Sequence, residues 1–216
     1  MGLRLIEAIN FVLLLVGFLM LILCVFLPYW RVRDQEQTVV DQIIYHDGIW
    51  LRCITYTAGN WQCDDYERYL FNLKASLNAA RGLSLVAMFG SFAGLISALV
   101  GCSCNKTNAN VKKWFKLMAG GWSIGSGICL VVGVSVYAHD IINNYFLNSD
   151  QYGRPTGTRY VFGSSLFVGW VSGAVLLISG AIYVCLGCGK VSESERYPRS
   201  FAYRPSQPAT IAKEYV

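Results

Sequence analysis

Charged residues are scarce in this sequence: Asp, Glu, Lys and Arg make up only 14% of its 216 residues, whereas hydrophobic residues make up 54%. Such a composition is too apolar for an ordinary soluble globular protein, and the length suggests one domain. The net charge of +5 does not indicate a nucleic-acid partner, because the basic residues do not form one dense face. The composition therefore favours a membrane protein.

The sequence also has few residues suited to catalysis. Its two histidines, His46 and His139, fall in different predicted loops, where each is expected to be solvated. Neither has a cysteine or serine at a spacing typical of nucleophilic catalysis, and a zinc site needs three or four convergent ligands. We therefore predict no enzyme activity, no metal site and no cofactor.

Apolar residues come in four blocks, at 5–27, 83–101, 117–138 and 163–186. Each block has about the 20 residues needed to cross a bilayer core. The first block is too long for the apolar region of a signal peptide and lacks a small-residue cleavage site, so it is predicted to remain as a helix. The predicted fold is a membrane α-helical protein, a left-handed bundle of four transmembrane helices with a small extracellular antiparallel β-sheet.

The charge distribution predicts the topology. The linker 103–116 contains four lysines and no acidic residue, which places it in the cytosol. The loops 28–82 and 139–162 then lie outside, and both termini are cytosolic. Residues 1–191 form the predicted membrane domain, whereas 192–216 are polar and proline-containing and form a predicted disordered tail.

The first outer loop has a different pattern from the apolar blocks. Residues 31–65 are rich in β-branched and aromatic residues, which predicts a small antiparallel sheet with Cys53 and Cys63 on neighbouring strands. These two cysteines lie close together in sequence on the oxidising side of the membrane, so they can form a disulfide. From 64 to 80, apolar residues recur at three- and four-residue steps, which predicts a helix.

Four further cysteines lie at the cytosolic ends of the second and fourth blocks: Cys102, Cys104, Cys185 and Cys188. Thiols stay reduced in the cytosol, and cysteines beside a membrane are targets of acylation. Palmitoylation is the favoured prediction. Free thiols and a Cys-x-x-Cys redox pair are the alternatives.

The most specific motif is a set of residues of the first outer loop: Trp30, Gly48, Ile49, Trp50, Cys53 and Cys63. Their spacing resembles the claudin signature, with isoleucine in place of the usual leucine, and the wider peripheral-myelin and AMPA-receptor auxiliary proteins share that signature. The segment 77–83, which contains Arg81, and the segment 159–170 are similar to the claudin starts of the second and fourth helices. The last two residues also resemble a claudin terminus.

The resemblance implies a plasma-membrane protein of the tight junction. Its partners would be other claudins in cis and in trans, as homo- and hetero-oligomers, together with membrane lipid, and its strands would form paracellular barriers or charge-selective channels. Tyr215 and Val216, at the end of the tail, imply binding to PDZ scaffold proteins. The alternative is an auxiliary subunit of a receptor or channel; the absence of an N-glycosylation sequon from both outer loops favours the claudin interpretation.

The residues after Cys63 are implied to select ions. Asp64, Asp65 and Tyr66 resemble pore-lining positions of cation-conducting claudins, and a carboxylate in a narrow pore attracts cations. The implied channel therefore prefers cations. The alternative is that these acids only begin a helix, where negative charge is favourable.

Lateral assembly is implied to use an apolar side chain that enters an aromatic pocket on the neighbouring molecule. By alignment from the second cysteine, the inserted residue is Tyr69, and the pocket consists of Tyr145, Phe146 and Phe162. The alternative is that Tyr69 packs on its own subunit.

Overall fold

The computed structural model describes residues 2–33, 43–56, 59–65, 74–102, 108–149 and 159–188. Within them lie four helices: α1 (Gly2–Phe26), α2 (Ala75–Val100), α3 (Ala109–Leu147) and α4 (Ser164–Cys188). All four are long and apolar enough to cross a membrane. The predicted four-helix membrane fold is confirmed.

The helices are longer than the apolar blocks that predicted them. Helix α3 has 39 residues and is therefore about 58 Å long, nearly twice the roughly 30 Å of a bilayer core. The predicted span of 117–138 is its middle part, so the outer loop 139–162 begins as a helix. Helix α2 likewise starts at Ala75, ahead of the span 83–101, because hydropathy marks only the part of a helix that lies in lipid.

Helix α3 lies at the centre of the bundle and packs against α2 and α4, while α1 packs mainly on α4. Close packing needs small residues. A Cβ at Gly90 of α2 would lie 2.5 Å from the Ser126 hydroxyl oxygen of α3. Membrane helices approach each other in this way because small residues let their backbones come close.

Polar side chains also join helices inside the bundle. Asn10 of α1 donates its side-chain amide to the Ser179 carbonyl of α4, at 3.1 Å, and the Ser172 hydroxyl donates to the Gly17 carbonyl at 2.9 Å. At the end of the bundle that contains the N-terminus, Lys116 forms an ion pair with Glu7, and both side chains are largely buried. An acid and a base at this depth are stable because each neutralises the other.

In the described residues the sheet consists of five antiparallel strands: β1 (Arg31–Arg33), β2 (Ile43–Asp47), β3 (Leu51–Tyr56), β4 (Trp61–Asp65) and β5 (Tyr160–Phe162). Their order is β4-β3-β2-β1-β5. Gly59 makes the tight turn between β3 and β4 with a φ of +83°, a conformation that suits glycine. The predicted sheet is confirmed, but Asp64 and Asp65 end a strand and do not begin a helix, so the prediction of a helix from residue 64 is wrong at its start.

Strand β5 comes from the second outer segment and pairs with β1 at every residue of both strands. The sequence analysis did not predict this strand. The attachment continues beyond it, because the Gly163 N–H donates to the Trp30 carbonyl and the Ser165 N–H to the Tyr29 carbonyl, each at 3.0 Å. A Cβ at position 163 would overlap the Tyr29 carbonyl group, so only glycine permits this approach.

Candidate functional site

Trp30 anchors the extracellular sheet on the bundle. Its side chain is fully buried, and its indole N–H donates to the Cys24 carbonyl at 2.7 Å. Its ring packs edge-on against Tyr137 of α3, with ring centroids 5.3 Å apart. The indole thus buries a large apolar area while its one donor is satisfied.

The Gly48-Ile49-Trp50 segment is held by the start of α2. Arg81 donates from Nε to the Ile49 carbonyl at 2.7 Å, and its guanidinium lies 5.0 Å from the centre of the Trp50 ring. Gly48 fits because a Cβ there would lie 2.7 Å from the Cα of Pro28. These residues position the sheet relative to the helices, which gives the signature a structural role.

Cys53 and Cys63 occupy directly opposed positions on β3 and β4 and form a disulfide. The expected pairing is present. The bridge fixes β4 to β3 immediately before Asp64 and therefore positions that carboxylate.

Four charged residues form a row across the sheet, with Phe162 at one end. The register pairs Phe162 with Arg31, Arg31 with Asp47, Asp47 with Arg52, and Arg52 with Asp64. Directly opposed residues of antiparallel strands share one face. Positive and negative residues therefore alternate along this face of the sheet.

Asp47 is the centre of this row, and sequence analysis did not single it out. Its side chain is only 2% exposed. One carboxylate oxygen accepts from Arg31 Nε at 2.8 Å and the other accepts from Arg52 Nε at 2.7 Å. One buried acid thus holds two arginines; the only signal for it in the sequence is an acid just before Gly48, and its arginine partners emerge only from the strand register.

Arg33 lies in the next row, between two tyrosines. Its guanidinium is 5.3 Å from the centre of the Tyr45 ring, while that of Arg31 is 4.3 Å from the centre of the Tyr160 ring. The Arg33 Nε atom is buried and donates to no hydrogen-bond acceptor among the described residues. Five side chains line a polar hollow of about 200 Å³ at this place: Arg33, Tyr45, Asp47, Arg52 and Tyr160.

The structure describes two of the three residues expected to select ions. Asp64 is exposed on the edge strand β4, and among the described residues it forms no ion pair. Asp65 is the last residue of β4 and pairs with Leu51. Tyr66 lies outside the described residues.

A second, apolar cavity lies between the outer end of α3 and strand β5. We call it the aromatic groove; it has a volume of about 330 Å³ and is lined by Ile141, Ile142, Tyr145, Phe146, Tyr160, Val161 and Phe162. The structure brings together the three residues expected to form the assembly pocket, Tyr145, Phe146 and Phe162. Tyr69, expected to insert into such a pocket, lies outside the described residues.

The rim of the aromatic groove is apolar and exposed, whereas Tyr145 is held in place by a buried arginine. Phe146 is 70% exposed. Arg159 is buried, lies 4.9 Å from the centre of the Tyr145 ring and is 3.4 Å from the Tyr145 hydroxyl. Arg159 therefore fixes one wall of the groove, a role that only the fold reveals.

The two histidines differ from the expectation of solvated loop residues. His139 is exposed but lies on α3. His46 is half-buried on β2, with its ring 5.0 Å from that of Tyr29 and 6.4 Å from that of Trp61. Burial lowers the pKa of His46 below its ordinary 6.5, although the negative charge of Asp47 opposes this shift. The expectation was wrong for His46, because apolar neighbours from other segments cover it.

The remaining predicted sites are placed as follows. Cys185 and Cys188 are exposed at the end of α4, and Cys102 is half-buried just after α2. Cys104, Tyr215 and Val216 lie outside the described residues, so palmitoylation and PDZ binding stay predictions. In the parts of the chain that the structure describes, no three His, Cys, Asp or Glu side chains are grouped to hold a metal ion.

Comparison with known proteins agrees with this architecture. A family model described as the PMP-22/EMP/MP20/Claudin family matches residues 1–183. The chain is 30% identical to human Claudin-7 over 216 residues, which cover 97% of each chain. It is 28% identical to Claudin-18 of Bos taurus, over 93% of this chain and 80% of the relative, and 27% identical to Claudin-19 of Mus musculus, over 97% and 92%. The chain therefore belongs to the PMP-22/EMP/MP20/Claudin family, and within it to the claudins.

Proposed function

We propose that this claudin polymerises in the plasma membrane into tight-junction strands and that these strands control the paracellular passage of ions. The role is structural and not enzymatic. In the proposed topology both termini are cytosolic and the sheet faces the space between cells. Its partners are other claudins, in cis and in trans.

The aromatic groove is the observation that carries the proposal. Its lining includes two phenylalanine rings, Phe146 and Phe162, which are 70% and 37% exposed. Exposed apolar patches of this kind mark interaction sites. Burying one aromatic side chain in the groove would contribute about 2 kcal/mol, and the contribution repeats at each contact along a polymer.

The proposed occupant of the groove is Tyr69 of a neighbouring molecule. The test is expression of the chain in cells that lack junctional strands, followed by freeze-fracture, for wild type and Tyr69→Ala. We expect linear fibrils for wild type and scattered particles for Tyr69→Ala at equal surface delivery. Fibrils that persist in Tyr69→Ala would exclude Tyr69 as the inserted side chain. An absence of fibrils in wild type would contradict strand formation and favour an auxiliary subunit of a receptor or channel.

Cation preference is the second part of the proposal and rests on Asp64. This carboxylate is exposed, whereas Arg31 and Arg52 are held by the buried Asp47. The single Asp47 carboxylate neutralises one of these two guanidinium charges, and Arg33, which Asp47 does not bind, is a further cation that opposes Asp64. A carboxylate in a narrow passage attracts cations and repels anions.

The test of ion selectivity is the dilution potential across an epithelial monolayer that expresses the chain. We expect a higher sodium-to-chloride permeability ratio than in untransfected cells and a lower ratio for Asp64→Asn than for wild type. A wild-type ratio at or below that of untransfected cells would contradict the cation preference. An unchanged ratio in Asp64→Asn would exclude only the assignment of the preference to Asp64.

A further inference from the structure

The first two turns of α3 form an amphipathic extension below the membrane span. Three apolar side chains on this stretch are exposed, Val111 at 37%, Trp114 at 69% and Met118 at 47%. Their spacing of three and four residues places them on one side of the helix. Lys113, which precedes Trp114 in sequence, is exposed, and Lys112 is half-buried; both lie on other sides of the same helical turn. We call Lys112, Lys113 and Trp114, which surround the helix at one depth, the basic–aromatic patch.

The length of α3 sets the depth of this patch. The span 117–138 is about 33 Å long at 1.5 Å per residue, close to the roughly 30 Å of a bilayer core. Trp114 is one turn outside that span, at the level of the lipid headgroups. Tryptophan is favoured at this depth, because its ring is apolar while its N–H can reach polar groups.

Within the described residues, no acidic side chain pairs with the lysines of the patch. In the described residues at this end of the bundle the only acidic side chain is Glu7, and it forms an ion pair with Lys116 deeper in the bundle. Among the described residues, Lys112 and Lys113 form no ion pair. The start of α3 adds partial positive charge, because the Asn108 side chain makes no capping hydrogen bond there.

We propose that the basic–aromatic patch binds the headgroup of an anionic phospholipid in the cytosolic leaflet. Lys112 and Lys113 pair with the phosphate and carboxylate oxygens of the headgroup, and Trp114 packs on the upper part of the acyl chains. Lysines near an anionic membrane surface each strengthen binding about five-fold. The assignment to the cytosolic leaflet rests on the proposed topology, whereas binding itself does not depend on strand formation.

The test uses the full-length chain purified in neutral detergent. Phosphatidylserine or phosphatidylcholine is titrated into the micelles, and the thermal unfolding midpoint is followed, because a ligand that binds only the folded state raises it. The variants are Lys112→Gln with Lys113→Gln and, as the matched control that keeps the charge, Lys112→Arg with Lys113→Arg. Inorganic phosphate is titrated in a third arm to distinguish a lipid from a free anion.

We expect phosphatidylserine to raise the midpoint of wild type and of the arginine variant more than phosphatidylcholine does. The glutamine variant should require roughly 30-fold more phosphatidylserine for the same shift, and phosphate alone should give none. Equal shifts with the two lipids, or an unchanged response in the glutamine variant, would overturn the proposal. A shift with phosphate equal to that with phosphatidylserine would replace the lipid by a simple anion. If the double glutamine variant does not fold, Lys113→Gln alone should show about a five-fold loss, because Lys113 is exposed.

Discussion

Two cavities in the part of the chain that the structure describes share Tyr160 but differ in how their chemistry is satisfied. The buried Asp47 lines the polar hollow and binds Arg31 and Arg52, so its carboxylate charge is paired within one molecule. In the aromatic groove, apolar rings remain exposed in the single chain. The ion pairs of Asp47 make the hollow a stabilising element of the sheet, whereas the exposed apolar surface makes the groove the proposed site for a partner. The variants below separate these two roles.

The largest effect is expected from removal of the central acid of the hollow. Asp47→Asn keeps the shape but removes the buried negative charge that Arg31, whose side chain is 17% exposed, and Arg52 share. We expect a loss of about 3 kcal/mol in the free energy of unfolding, because removing one member of a buried ion pair is costly. The measurement is denaturant unfolding in detergent. Asp64→Asn is the matched control and should change stability by less than about 0.5 kcal/mol; equal effects of the two variants would show that Asp47 does not hold the sheet.

The groove is tested by a pair of adjacent residues. Phe146 lines the groove, whereas Leu147, the next residue, does not; they are 70% and 79% exposed. Phe146→Ala should weaken each lateral contact by about 2 kcal/mol and abolish long strands, with little change in the stability of the monomer. Freeze-fracture is the measurement. Leu147→Ala should leave strands intact, and loss of strands in both variants would mean that general surface hydrophobicity drives assembly.

A smaller effect is expected from the arginine of the hollow that Asp47 does not bind. Arg33→Gln removes the charge that opposes Asp64, so the sodium-to-chloride permeability ratio should rise by about two- to five-fold. Dilution potentials give this ratio. The control is Lys113→Gln, which also removes one positive charge. Lys113 lies near the start of α3, at the end of the bundle away from the sheet, so the permeability ratio should not change. A lower sodium-to-chloride permeability ratio in Arg33→Gln than in wild type would show that Arg33 does not oppose the passage of cations.

The smallest effect concerns pH and His46, the half-buried histidine of β2. Because the pKa of His46 is lowered below 6.5 in the folded state, the unfolded state binds more protons as the pH falls through that value. Stability is therefore full above pH 6.5 and decreases as the pH falls toward the folded-state pKa. His46→Phe should reduce this loss in thermal unfolding measured over that interval. His139→Gln, which changes the exposed histidine, is the control and should keep it.

The sequence was sufficient for the features that depend on local patterns. Apolar length predicted the four helices, residue type and alternation predicted the sheet, and the resemblance brought Tyr145, Phe146 and Phe162 to one place. A strand register depends on which segments meet, which local patterns do not specify. For this reason β5, the role of Asp47 and the partial burial of His46 were not predicted from the sequence.

Helix ends were also beyond the reach of hydropathy. Helix α3 continues for several turns past the apolar block 117–138, because its flanking residues satisfy their backbone hydrogen bonds in helix whether or not lipid surrounds them. At Asp64, by contrast, a helix was predicted and a strand is present. Acids at this place favour a helix start by propensity, but pairing with Arg52 across the disulfide-linked strands keeps Asp64 in β4.

The pairing of β5 with β1 has a mechanical consequence. Strand β1 follows α1 and strand β5 leads directly into α4, and these two helices pack against each other in the membrane. A force applied to the aromatic groove through β5 is therefore shared between two helices. In the proposed junction, a pull between neighbouring cells would enter the membrane through both helices, so the sheet and the groove would be displaced together as one unit.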